Sequence, residues 1–353
     1  TVPSGQMSGY REMIGQDPRN PLGMNTGLQR DRGRGPDDNI SGRVIFIPLQ
    51  FWFCKNIGLA LPLIALQYHE VKVQLTLRPL EEMIINNGTF MEVGSLIDTN
   101  IWADYIYLDT EERRRFAQMS HEYLIEQVQY TDIIVLGHLS KVDINLNFNH
   151  PVKELIWVSR HVAAVNNGVN QWSNYTTIPA IPHSNNRSGI AVGSGGSALK
   201  SLGEVNALDH INHNIEPTNI LALTSHSHIR PIGSSNQIAS ASLLLNGNKR
   251  FSTRTGTYFN WIECRDHHTN IPLSPGINVY SFAHRPEQHQ PSGACNFSRL
   301  MTSTLSLTFN SGENLYKGLS LSFKDTNRHV QVYAVNYNVL RVMSGMAGLA
   351  YPE

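Results

Sequence analysis

The chain reads as an all-β protein built from antiparallel sandwiches, and three observations predict this. Alternating or β-branched segments recur along most of its length. Clusters of Gly, Pro, Asn and Asp separate them at short spacing, and only one stretch carries clear helix signals. This pattern fits stacked antiparallel sheets and lacks the strand and helix alternation of a parallel sheet.

Residues Thr1–Gly42 are rich in Gly, Pro, Asn and Asp without a sustained period and read as irregular surface chain. Arg43–Phe53, RVIFIPLQFWF, is dense in β-branched and aromatic residues and predicts a buried strand bent at Pro48. Gly58–Leu66 reads as a short apolar connector. In His69–Arg78, Val71, Val73, Leu75 and Leu77 alternate with Lys72, Gln74, Thr76 and Arg78, which predicts a strand with one buried face. Asn100–Leu108 is a further strand. Asp109 then caps a helix that runs to about Met119, with Glu112 at the third position. This helix separates two strand-rich halves and predicts a domain junction, with residues 1–121 on one side and 122–353 on the other.

In the second half the predicted strands are Tyr123–Tyr130, Lys141–Phe148, Val152–Arg160, Asn219–Thr224, Ile238–Leu245, Val279–Phe282, Thr304–Phe309 and Val330–Leu340. Between Ala163 and His213 the chain turns Asn-, Ser- and Gly-rich. That stretch, 163–213, is expected to form a long tower loop at one end of a sheet.

Composition narrows the function classes. Charged residues make up 16% of the chain against 41% hydrophobic, so the surface carries few charges and suits extensive contact with partners. Formal net charge is zero, which argues against direct nucleic-acid binding. The local clusters Arg30, Arg32, Arg34 and Arg113–Arg115 read as solvated or interface charges. Cys54, Cys264 and Cys295 are odd in number and widely spaced, as expected of reduced thiols. The apolar run Phe51–Leu66 is interrupted by Lys55, Asn56 and Pro62 and is too short to span a bilayer.

Several stretches imitate chemistry. Gly189–Gly203 lacks both the Gly-Lys-Ser/Thr of a phosphate loop and the strand–helix context of a dinucleotide site. His226 and His228, with His210, His213, His267 and His268 within conceivable reach, find no carboxylate or thiolate at a completing spacing, so no metal or cofactor is predicted. Val279–Arg299 holds His284, Glu287, His289 and Cys295, and a Cys295 nucleophile with His284 or His289 as base is one reading. The density of Pro, Gly and Asn favours another: a shaped corner between strands, whose polar side chains bind the turning backbone. The chain is therefore not expected to be an enzyme.

Three segments carry a resemblance. Pro275-Gly276-Ile277-Asn278 followed by Val279–Arg299, with Gln290-Pro291-Ser292-Gly293-Ala294-Cys295-Asn296-Phe297-Ser298-Arg299 at its end, resembles the major capsid proteins of large nucleocytoplasmic DNA viruses. So do Pro48–Phe53 with Gly58–Leu66 and His69-Glu70-Val71, and the carboxyl-terminal Tyr337–Gly348. The resemblance implies a double jelly roll, two antiparallel β-sandwiches side by side, with three copies forming a pseudo-hexagonal capsomer that tiles an icosahedral shell. It also implies more strands ahead of Arg43 than Thr1–Gly42 hold, so the first jelly roll is expected to be incomplete at its amino-terminal side. Expected partners are two further copies, neighbouring capsomers, and minor capsid and penton proteins, with the inner membrane of the virion nearby. The expected place is the virion capsid, assembled in the host cytoplasm. Pro291, Gly293, Asn296, Arg299, Phe51, Trp52 and Pro62 are the expected structural corner and assembly residues. Two rivals remain: a carbohydrate-binding jelly roll using Trp157 and Trp172, and a metal-dependent enzyme using His226 and His228.

Overall fold

A period-two segment becomes a strand only when a neighbour of matching register is present, and from His121 onward such neighbours are present. The computed structural model describes residues 44–79, 82, 98–137, 139–162, 165, 172–177, 236–272, 275–310 and 327–352. Helix α1 (Thr110–Gln118) leads into β1 (His121–Tyr130), β2 (Ile134–Val135), β3 (Lys141–Asn145) and β4 (Pro151–His161). Then come β5 (Ile238–Leu245), β6 (Asn248–Lys249), β7 (Arg254–Thr255), helix α2 (Glu263–His267), β8 (Ile277–Ser281) and β9 (Cys295–Asn296). The last strands are β10 (Ser303–Phe309), β11 (Arg328–Met343) and β12 (Met346–Leu349).

These strands form two antiparallel sheets. The larger has the order β1-β11-β4-β8, with β2 and β12 also on β11 and β9 on β4; the smaller has the order β3-β10-β5-β6, with β7 on β5. Successive long strands change sheets: β3 to β4, β4 to β5, β8 to β10 and β10 to β11. Two antiparallel sheets, of seven and five strands, threaded in this way are a jelly roll. Strand β11 is the spine of the larger sheet, because its residues 333–336 pair with both β1 and β4, and its residues 340–342 with both β1 and β12.

The inner faces supply the core. In β10 Leu305, Leu307 and Phe309 are buried at alternate positions, facing Leu155 and Trp157 of β4 and Val330, Val332 and Ala334 of β11 across one cluster. Each fully buried side chain of this size contributes roughly 1.5–3 kcal/mol. Trp157 is wholly buried and meets Phe259 edge-on, with ring centroids 5.0 Å apart. Helix α1 forms as expected, with the Asp109 carboxylate accepting the Glu112 N–H at 2.8 Å.

The expected strands Arg43–Phe53, His69–Arg78 and Asn100–Leu108 are corrected. Their described parts carry no strand, and the first ends in a 3-10 turn at Trp52–Cys54. Backbone from Val71 to Arg78 and from Ile101 to Tyr107 has no ladder partner among the described residues, and its apolar side chains are exposed, Trp102 by 87%. Alternation favours an extended chain, but pairing needs a second one. Helical structure at Tyr258–Ile262, a π-type turn continuing into α2, was not expected from the sequence. Most of 163–213, the expected strand Asn219–Thr224, and His210, His213, His226 and His228 lie outside the described residues.

Candidate assembly interface

The stretch Val279–Arg299 is a corner. Strand β8 stops at Ser281, irregular chain follows, and β9 leads into a 3-10 turn at Phe297–Arg299. Its polar groups are used on the backbone, as turn chemistry demands. The Ser292 hydroxyl accepts the Arg285 N–H at 2.8 Å, and the Asn296 side chain accepts the Ser298 N–H at 3.1 Å. The corner also closes the β3–β4 turn: Ser298 Oγ accepts the His150 N–H at 2.8 Å, and the His150 carbonyl accepts the Phe297 N–H at 3.0 Å. His150 has φ 65°, a left-handed conformation that these two bonds hold in place.

Of the expected corner residues, Pro291 and Arg299 are exposed and Asn296 is half-buried. Gly293 has φ +145°, and a Cβ there would lie 2.7 Å from the Phe282 carbonyl oxygen. Gly293→Ala is expected to lower stability by about 1–3 kcal/mol through this contact and the unfavourable backbone. An unchanged thermal midpoint would show that the corner accommodates the methyl group freely.

Groups in this stretch that looked catalytic are taken up by local structure. The His284 carbonyl accepts the N–H of His267 Nδ1 at 3.0 Å, and Glu287 takes bonds from the N–H and hydroxyl of Thr269. Burial pushes the Cys295 thiol above its ordinary range, and burial with nearby Glu263 pushes Cys264 up to about 12. Neither sulfur has the stabilised thiolate that nucleophilic chemistry requires. His268 Nε2 meets the Glu154 carboxylate at 2.8 Å, which ties the end of α2 to β4.

The aromatic segment from the first half lies against the jelly roll. Phe51 stacks on Phe53 with centroids 5.0 Å apart, and Trp52 lies 6.0 Å from the ring of Tyr123 on β1. Pro62 is buried, and its carbonyl accepts the Ala65 N–H at 2.8 Å. Ala65 and Leu66 then pack with Val342 of β11. An ionic group binds the same region together. Glu126 of β1 meets Lys153 of β4 at 2.6 Å and Lys55 at 2.5 Å, while Lys153 also donates to the Pro286 carbonyl at 2.7 Å. Sequence reading missed this cluster, although Lys153-Glu154 inside the apolar run of β4 was a visible signal for it.

The carbohydrate reading loses its aromatic platform. Trp157 is core, and Trp172 stands beneath the Arg78 guanidinium at 3.7 Å with its Nε1–H bonded to the Glu82 carbonyl.

Two antiparallel sheets closed over one core, with the amino-terminal segment packed against them, define a β-sandwich protein of jelly-roll type. The chain belongs to the large eukaryotic DNA virus major capsid protein family, whose description matches residues 112–348; the major capsid protein N-terminus family matches residues 1–109. It is 41% identical over 356 residues to the major capsid protein of Phaeocystis pouchetii virus, covering 90% of this chain and 66% of that one. To the major capsid protein of Paramecium bursaria Chlorella virus 1 it is 38% identical, covering 87% and 66%. The chain thus spans about two thirds of the length of the curated relatives it matches. Its structure is similar to the quasi-atomic model of the PBCV-1 virus capsid, at TM-score 0.58 and 30% identity, covering 98% of this chain and 78% of that one. The fold class is accordingly the family's all-β double jelly roll, with the sandwich from His121 to Leu349 seen strand by strand.

Proposed function

We propose that the chain is a structural unit of a virion shell, closing as a homotrimer into a pseudo-hexagonal capsomer that packs beside its like in an icosahedral lattice. The observation that carries this reading is the 41% identity to a major capsid protein along most of the chain, combined with a jelly roll of that fold class. Rigid antiparallel layers leave both ends of the sandwich free for contact loops, and closed three-fold symmetry presents the same contacts repeatedly. Many weak contacts then add through multivalency.

In this reading α1 joins two units, 1–121 and 122–353, and tower 163–213 faces outward or toward a trimer neighbour. Pro291, Gly293, Asn296 and Arg299 shape the corner, and Phe51, Trp52 and Pro62 seat the first unit on the second. In this reading the chain is structural and performs no catalysis; the raised thiols of Cys264 and Cys295 weigh only against a cysteine nucleophile. Neighbouring capsomers, minor capsid and penton proteins are its partners, assembly takes place in the host cytoplasm, and the inner membrane of the virion lies nearby. Light scattering of the purified chain is expected to give a trimer mass, and negative-stain images a hexagonal outline. A monomer that persists on concentration overturns the proposal.

A further inference from the structure

The far ends of β4 and β11 break a rule of sheet pairing. Arg160 lies directly opposite His329, and the next pair is His161 with Arg328, so two successive cross-strand pairs carry four basic side chains. Like charges placed opposite one another destabilise a ladder. Among the described residues no carboxylate forms an ion pair with Arg160, Arg328 or His329. Arg328 is 4% exposed, yet among the described residues its Nε has no hydrogen-bond partner, and Arg160 Nε is likewise buried and unpartnered among them. Buried guanidinium groups ordinarily have acceptors.

The two pairs face opposite ways. Arg328 turns inward, donating to the Asn310 carbonyl at 2.9 Å, whereas Arg160 and His329 lie on the outer face of the larger sheet. There they line a shallow depression with Ile133, Val158, Val330 and Gln331. The Arg160 guanidinium is held in place by ring faces, 5.4 Å from the Trp172 centroid and 5.3 Å from that of Tyr175. Arg78, on the same Trp172 ring, is already neutralised by Glu82 at 3.0 Å. A guanidinium immobilised by aromatic faces is poised to accept a planar or tetrahedral oxyanion, because little freedom is lost on binding.

We propose that this depression is an oxyanion subsite in which Arg160 and His329 together take one carboxylate, sulfate or phosphate group. The inference is independent of the assembly reading, since it rests on side chains within one chain. The surrounding titratable and charged groups are Arg78 with Glu82, Tyr175, Tyr130 and Tyr333. Burial and then the charge of Arg160 hold the His329 imidazole below its usual range. A bound anion offsets that repulsion, so binding takes up a proton and tightens as pH falls.

The test is calorimetric titration of the whole chain with inorganic sulfate. One saturable site per chain is expected, weakened by at least about tenfold in Arg160→Met through loss of charge-assisted hydrogen bonds. Arg254→Met, which removes a guanidinium stacked on Tyr258 beside the smaller sheet, is expected to leave it unchanged. Binding is expected to strengthen from about pH 8 to about pH 6, and His329→Gln to flatten that dependence, a readout that stands even if the Arg160 variant does not fold. Absence of saturable binding, or equal binding in the Arg160 variant, overturns the proposal. Sedimentation with and without sulfate separates the sources of the anion. Self-association weakened both by sulfate and by Arg160→Met assigns the site to a carboxylate of a second copy, and unaltered self-association assigns it to a free anion.

Discussion

Replacing Glu126 by Gln is expected to destabilise the chain by about 3 kcal/mol, because it leaves a buried ammonium without its counter-ion. Lys153 is 2% exposed and Glu126 is its sole ion-pair partner among the described residues; the Pro286 carbonyl alone cannot offset its charge. Lys55 sits partly in solvent and can rehydrate, which keeps the loss at the lower end of the range. Lys153→Met is expected to cost less, since Glu126 keeps Lys55 and the methionine suits the apolar strand. Urea denaturation of the three proteins checks the order; a loss below about 1 kcal/mol in the glutamine variant contradicts the argument. The pH response has a definite sign. Burial alone would raise the Glu126 carboxyl, but hydrogen bonds from Lys153 and Lys55, with their charges, bring it below its ordinary value of 4.5. Its contribution is therefore fully present above that value and disappears as pH falls through the lowered native one. The glutamine variant lacks this acid-dependent component.

Trp157→Ala is expected to cost about 4 kcal/mol, by loss of apolar contact and by the cavity left between β4 and Phe259. Trp157→Phe is expected to cost only about 1–2 kcal/mol. The difference arises because phenylalanine keeps most of the ring volume packed on Phe259. The buried indole Nε1 has no hydrogen-bond partner among the described residues, so neither substitution breaks a bond there. Thermal denaturation of both variants decides the matter. A loss in Trp157→Phe well above about 2 kcal/mol would mean that the indole nitrogen is engaged after all.

The strands of the jelly roll were legible where one face is buried. Ile238–Leu245 has the expected limits, and Thr304–Phe309 and Val330–Leu340 lie within β10 and β11. The same signal in His69–Arg78 and Asn100–Leu108 did not yield ladders, because period two states what a segment can do and pairing depends on residues far away. The short β2, β6, β7, β9 and β12 escaped, being too brief for any period to register. Tyr258–His267 escaped for another reason: its aromatic residues favour strands locally, and packing of Phe259 on Trp157 holds the helical turn. The corner was recognisable from Pro291 and Gly293. The ionic cluster beside it was not, since Lys153 and Glu126 are 27 residues apart and Lys55 and Glu126 are 71.

The central place of β11 also orders events during synthesis. Gln129 and Asn336, side by side in the finished sheet, are 207 residues apart in the chain, so β1 leaves the ribosome long before its neighbour exists. Until residues 328–343 emerge, β1 and β4 expose open edges to every other nascent chain in the cell. Completion of the larger sheet is thus gated by β11. High contact order slows such a step and leaves its intermediates prone to mispairing.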